Sequence, residues 1–383
     1  MAETQAQQGH DVVACSLVRD PVECAHRNGV SVRSFTARNP LWISESSRYP
    51  SPIRLANKAV TVFNRRVATE FAAVLDDIKP DVLHTHSMVE LPPTVWNQAA
   101  GRGVPIVHTL HDYDLLCIRG ALFKDGRKCR PRHVACRLLS APKQALHDRI
   151  DAVAAVSRTV LDTHLEHGLF TQLPPERCQV VWNPARFDRN RHMRRSRAPG
   201  EPLRFGYLGR LVAEKGLAPL LAACRMLAPT GWTLRIAGEG RERSALEAQA
   251  AGLPVRFDGY VEAAAFLAEI DVLICTPLWD EPFGLTTLEA YAAGCRVIGS
   301  TRGVIGEVVD RVEPGWTVPA ADVPALATAM RRAIESDTAL PVERQQAAEA
   351  MLAELDPARV TQTYLDIYET VCTRPRAALA ANR

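Results

Sequence analysis

The sequence predicts an α/β protein with two domains, each a parallel sheet covered by helices, and three observations carry that reading. Short β-branched runs alternate with amphipathic helical stretches from end to end, as in sheets wrapped by helices on both faces. The 383 residues exceed what one hydrophobic core usually serves. Between two sets of strands lies ARFDRNRHMRRSRAPGEP, with six arginines, two prolines and almost no apolar content, which reads as an interdomain linker.

In order, the expected strands of the first half are 11–17, 30–35, 81–87, 105–110, 152–157 and 179–184. Those of the second half are 203–209, 233–238, 255–260, 271–277 and 296–300, with helices between most of them. The domains are therefore 1–185, a basic linker over 186–202, and 203–355, with a closing helix over 356–383 that returns towards the first domain. The opening MAETQAQQGHDVV reads as the tail of a helix, a Gly turn and a strand. The sheet thus starts with what is normally a second strand, and the expectation is that one βα unit of about 25–40 residues precedes it in the natural protein.

Composition narrows the function. A net charge of +3 is too small to imply nucleic-acid binding, although 40 of the 46 basic residues are arginine. No apolar run approaches the roughly 18 residues that span a bilayer, and no signal segment opens the chain, so a cytoplasmic protein is expected. The alternative reading of the linker is a basic patch that meets an acidic membrane surface from the inner face. Ten scattered cysteines read mostly as free thiols. Cys117, Cys129, His133 and Cys136 are dense enough to hold a structural zinc, but the first spacing departs from zinc knuckles, and packing or a crosslink is the preferred reading.

The chemistry concentrates in the second half. Glu281 and Glu289 flank a Pro-Phe-Gly loop that turns into a helix, so the amides of Phe283, Gly284 and Leu285 stand at a helix start between two carboxylates, a setting for anionic or hydroxyl-rich ligands. Upstream, GRLVAEKG follows a strand and opens a helix: Gly209 lets the chain turn, and Arg210 and Lys215 converge on whatever rests above the sheet edge. A diphosphate fits, because arginine supplies a planar fork and lysine a point charge. The turn IAGEG, with VRFDGYV, suits the wall of a pocket for a flat nucleobase.

Taken together and in this order, GRLVAEKG, IAGEG and EPFGLTTLEA resemble the nucleotide-sugar-binding half of the retaining family-four glycosyltransferases (glycosyl transferases group 1). VIGSTRGVIGEVV, GWTVPAADVPALA and, in the first half, RGVPIVHTLHDYDLLC extend the similarity over nearly the whole chain. The resemblance implies the GT-B architecture, two Rossmann-like doubly wound domains facing a central cleft. It implies that Arg210 and Lys215 hold a donor diphosphate, Glu289 the ribose, and the amides of 283–285 sugar hydroxyls and the distal phosphate. It assigns Glu281 and His111 to the reaction centre. The expected activity is transfer of a hexose from a UDP- or GDP-sugar to a polysaccharide, lipid-linked or small-molecule acceptor, with no metal and no other cofactor. The rival is a non-catalytic nucleotide-sugar binder, since the Gly-rich loop of the family's first strand is not found here.

Two other patterns are discounted. Asp112-Tyr113-Asp114 is formally a DxD, but it lies in the acceptor half, away from the donor motifs. His84 and His86 alternate on a strand, where cleft lining is expected before metal binding.

Overall fold

The computed structural model describes residues 1–18, 25–35, 39, 41, 48–185, 187, 194–198, 200–336 and 339–373. In chain order the first half contains α1 (Ala2–Gln7), β1 (Val12–Leu17), β2 (Ala25–Arg27), β3 (Val30–Phe35), α2 (Ser51–Val62) and α3 (Arg65–Ile78). There follow β4 (Leu83–His86), α4 (Thr94–Ala100), β5 (Ile106–Leu110), β6 (Phe123–Lys124), β7 (Arg127–Lys128), α5 (Val134–Ala145), β8 (Ala152–Ala155), α6 (Arg158–Glu166) and β9 (Cys178–Val180). The second half begins with β10 (Leu203–Leu208), α7 (Leu217–Cys224), β11 (Trp232–Ala237), α8 (Arg243–Ala250), β12 (Val255–Gly259), α9 (Ala263–Ala268) and β13 (Val272–Cys275). It continues through α10 (Leu285–Ala292), β14 (Arg296–Ser300), α11 (Gly303–Val312), β15 (Thr317–Val318), α12 (Val323–Glu335), α13 (Val342–Ala353) and α14 (Pro357–Thr373).

The chain divides into two compact units. The first holds Met1–Leu122, Cys129–Pro184 and the chain from Pro357; the second holds Phe123–Lys128 and Ala185–Asp356. In the first unit β4-β5-β8-β9 form a parallel sheet, and β1-β3-β2 a separate one in which β1 and β3 are parallel. Helix α14 closes this unit because its apolar residues recur at helical spacing: Val360, Tyr364, Ile367 and Val371 are buried in one cluster with Val107, Ala152 and Ala154 of the sheet.

The second unit is a six-stranded sheet in the order β12-β11-β10-β13-β14-β15, parallel throughout. That order reverses direction between β10 and β13, and a doubly wound sheet opens its ligand crevice at the carboxyl ends of strands on either side of such a switch. Leu203, Phe205, Trp232, Leu234, Ile236 and Ile274 anchor its core. Asp271, at the entry to β13, is fully buried and holds Arg194 at 2.6 Å and Arg204 at 2.8 Å. Those two cations keep its carboxyl below the usual range against the opposing effect of burial.

The expected strands are all present, several of them shorter than expected: 81–87 is a strand over Leu83–His86, 152–157 over Ala152–Ala155 and 271–277 over Val272–Cys275. The run 179–184 is a strand only over Cys178–Val180, and Pro184 at its end has no N–H for a ladder. Strands β2, β6, β7 and β15 were not expected; at two or three residues each they carry no readable periodicity. In the expected linker, residues 186, 188–193 and 199 lie outside the described residues, whereas Arg194 is committed to Asp271. Among the described residues no helix is long and apolar enough to cross a membrane.

Candidate active site

Three strand ends of the second unit meet at one edge, and glycine is what lets them meet. After β10 the chain turns at Gly209, whose N–H donates to Ala237 O at 3.0 Å, while Leu211 N donates to Glu239 O at 2.9 Å. Gly238 has φ +132°, and a Cβ there would stand 1.9 Å from Gly209 O. A Cβ on Gly240 would stand 2.2 Å from Leu211 O. No other residue permits these backbones to touch. Gly238 N in turn donates to Gly259 O at 2.6 Å, which ties in the end of β12.

The loop between Gly209 and α7 is clamped just as closely to the chain leaving β13. Leu278 N donates to Glu214 O at 2.8 Å, and a Cβ on Gly216 would lie 2.1 Å from Thr276 O. Lys215 is thereby aimed at the next residues along: its Nζ donates to Glu281 Oε2 at 2.7 Å and lies 5.7 Å from the centroid of the Trp279 ring. Trp279 Nε1 donates to the same carboxylate oxygen at 2.9 Å. Arg210 is exposed beside this cluster, and among the described residues its guanidinium forms no ion pair.

Glu281 is fixed from behind by the head of α11. Val304 N donates to Glu281 O at 3.0 Å, and a Cβ on Gly303 would fall 2.4 Å from Glu281 N. Gly284, in the left-handed region at φ +67°, caps α10, where a Cβ would meet Ile305 Cδ1 at 2.4 Å. Phe283 is buried and Leu285 exposed on either side of that cap. One turn into α10, Glu289 is half-buried and makes no hydrogen bond or ion pair through its carboxylate among the described residues. Burial, with Glu262 nearby, raises its pKa. Arg210, Lys215, Glu281 and Glu289 thus belong to one edge of one sheet.

His111 belongs to the first unit, directly after β5. Its Nε2 lies 3.0 Å from His86 Nδ1. His86 stacks obliquely on His84 at 4.0 Å, and His84 bridges Tyr368 OH at 2.6 Å and Thr109 Oγ1 at 2.7 Å. Desolvation keeps His111 below the ordinary imidazole range even though Asp114 pulls the other way. The three histidines form a row joined by one hydrogen bond and one ring contact, and among the described residues no group of three or more His, Cys, Asp or Glu is set to hold a metal. Cys117 and Cys136 lie with sulfurs 3.9 Å apart, and none of the nine described cysteines forms a disulfide. In the DxD-like run, Asp114 is buried on Lys143 at 2.9 Å and Met88 N at 2.9 Å, which occupies it structurally.

Residues 202–336 match the family described as Glycosyl transferases group 1, and residues 1–189 match Glycosyltransferase Family 4. A glycogen synthase of Mycobacterium tuberculosis is 30% identical over 76% of this chain and 69% of its own length. The chain belongs to the group 1 glycosyltransferases. A protein in the cps region of Klebsiella pneumoniae is 27% identical over 80% of this chain and 81% of its own. Among solved structures, Anabaena HepE in complex with UDP and glucose superposes with a TM-score of 0.63 at 18% identity, over 90% of this chain and 87% of that one. The fold is GT-B.

In this glycosyltransferase the structure adds residues that motif reading passed over. Trp279 shares Glu281 with Lys215, and Tyr207, whose OH donates to Arg210 O at 3.0 Å, supports the turn from below. Tyr260, at the end of β12, is 92% exposed. Trp279 stands two residues before Glu281 and Tyr207 two before Gly209, so each was adjacent to a motif but carried no spacing signal of its own.

Proposed function

We propose that this protein is a retaining, metal-independent glycosyltransferase that moves a hexose from a UDP- or GDP-sugar to a hydroxyl of a saccharide or lipid-linked acceptor. The observation that carries this reading is the Lys215–Glu281 contact beside Arg210, with the unpartnered Glu289 eight residues further on, all at the switch point of the sheet. Arg210 and Lys215 supply two positive charges where a diphosphate would sit, and a leaving diphosphate needs that neutralisation more as it departs than before. Glu289, raised in pKa and without a partner, suits the two hydroxyls of a ribose. Glu281 orients the transferred sugar. HepE, of the same fold, was solved with UDP and glucose, which agrees with this donor class.

Retention follows if the acceptor hydroxyl attacks C1 from the face the diphosphate leaves. The C1–O bond to the diphosphate breaks, the bond to the acceptor oxygen forms on the same side, and the acceptor proton passes to a diphosphate oxygen. His111, kept neutral by desolvation, serves as a positioning residue in this scheme. The test is a thermal-shift screen of UDP- and GDP-sugars, followed by turnover with the donor that stabilises most, the product anomer read by NMR, and repetition in EDTA. Stabilisation without turnover would leave a nucleotide-sugar binder; an inverted anomer or abolition by EDTA would refute the mechanism.

A further inference from the structure

The histidine row of the first unit is pegged at one end and open at the other. His84 on β4 has both ring nitrogens engaged, Nδ1 with Tyr368 OH at 2.6 Å and Nε2 with Thr109 Oγ1 at 2.7 Å, and Tyr364 OH lies 3.0 Å from that same threonine oxygen. Helix α14 and strand β5 thus hold the ring from two sides, and it cannot turn without breaking a bond. His86 stands two residues on along β4, on the same face, and rests its ring on His84 with centroids 4.0 Å apart. Its Nδ1 then meets His111 Nε2 at 3.0 Å.

That contact governs how His111 can meet a ligand. Desolvation, reinforced for His84 and His86 by the neighbouring rings, keeps all three imidazoles uncharged near neutrality. Two neutral rings place one hydrogen between His86 Nδ1 and His111 Nε2, and whichever ring owns it sets both tautomers. If His86 donates, both rings carry their hydrogen on Nδ1, the form that a histidine side chain disfavours in water. If His111 donates, both carry it on Nε2, the favoured form. His86 is exposed, and among the described residues neither its Nε2 nor His111 Nδ1 makes a hydrogen bond, so nothing there opposes the second arrangement. His111 Nδ1 is then a bare lone pair, able to accept a hydrogen bond and unable to donate one.

We propose that His86 holds His111 in the Nε2–H tautomer, so that His111 offers its Nδ1 lone pair to a hydroxyl of a bound sugar. His86 is a positioning residue, acting through His111, and its bearing on turnover rests on the placing of His111 at the reaction centre. The experiment is long-range proton–nitrogen NMR of the full chain carrying isotope-labelled histidine, with the His111 signals assigned through His111→Gln, beside steady-state kinetics. In the parent, His111 should carry its hydrogen on Nε2 and none on Nδ1. His86→Phe keeps a ring against His84 and removes the acceptor. His111 should then show both tautomers, and kcat should fall about tenfold, the scale of one neutral hydrogen bond, with nucleotide Kd and melting temperature close to those of the parent. His86→Asn, whose amide oxygen stands near the place of Nδ1, should restore the single tautomer and most of the turnover. A parent His111 with its hydrogen on Nδ1, or a single Nε2–H tautomer retained in His86→Phe, would overturn the proposal. So would full turnover in His86→Phe where His111→Gln is impaired. Full turnover in His111→Gln would instead remove His111 from the reaction centre, while loss of the single tautomer in His86→Phe would still assign its positioning to His86.

Discussion

Lys215 Nζ and Glu281 Oε2 are 2.7 Å apart, with the side chains 21% and 14% exposed. The cation expected to grip the diphosphate and the carboxylate expected to face the sugar are therefore one ion pair. Trp279, bonded to the same oxygen, excludes water from one side of it. A donor entering the site would meet a lysine already partnered, so its phosphates compete with Glu281 for that charge.

Replacing the lysine separates binding from mere fold support. Lys215→Ala is expected to weaken UDP or GDP binding by about 1.5–3 kcal/mol, the scale of a hydrogen bond to a charged group, or roughly 10- to 100-fold in Kd. Titration calorimetry reads it directly. An unchanged Kd would remove Lys215 from the donor site.

The partner residue should behave oppositely. Glu281→Gln releases Lys215 from its counter-charge, so nucleotide affinity should hold or tighten, while turnover falls by about 100-fold or more through loss of a group aimed at developing charge. Steady-state kinetics beside calorimetry decides it. Loss of nucleotide affinity in this variant would exchange the roles of Glu281 and Glu289.

How far this was legible in the sequence follows from what each feature depends on. Gly209, Arg210, Lys215, Glu281 and Glu289 could be grouped because strand-to-helix turns follow from local pattern, and the order of the motifs placed those turns on one edge. The ion pair could not, since Lys215 and Glu281 are 66 residues apart and their contact depends on β10 and β13 being neighbours. Strand order is a property of packing, absent from any single segment. The dense run Cys117, Cys129, His133 and Cys136 makes the converse point: short separation along the chain does not by itself bring four donors together, and among the described residues no such group forms.

The backbone contact at Gly238 makes a sharper demand than any side chain. Gly238→Ala puts a methyl group where Gly209 O already stands, in a left-handed conformation that L residues disfavour. The expected cost is about 2–4 kcal/mol, combining backbone strain with forced separation of the two turns. Chemical denaturation would measure it. Because the same turns position Arg210, donor affinity should fall as well; full stability and affinity together would show that the turns need not touch.

Acid should destabilise the first unit through two histidines that take no part in the site. His108 and His164 are fully buried. Each uses Nδ1 in a hydrogen bond, to Thr85 Oγ1 and Val160 O respectively, and each leaves Nε2 without a partner. A proton on Nε2 would be a buried, unanswered N–H, so desolvation lowers the two pKa values to about 3 and about 4. Between the unfolded value near 6.5 and those figures the unfolded chain binds two protons that the folded chain refuses, and stability falls with pH by about 1.4 kcal/mol per proton per pH unit. Asp112 opposes this: burial and the charge of Asp114 raise it to about 7, so in the same window the folded state holds one proton the unfolded state lacks. His84, His86 and His111 are lowered in the same direction by desolvation, His86 to about 4, so the histidines outnumber Asp112 and leave a net loss on acidification from about pH 6.5 to about pH 4. Melting temperatures across that range should decline, and His108→Gln/His164→Gln should make the decline shallower. A double variant as acid-sensitive as the parent would place the acid sensitivity in other groups.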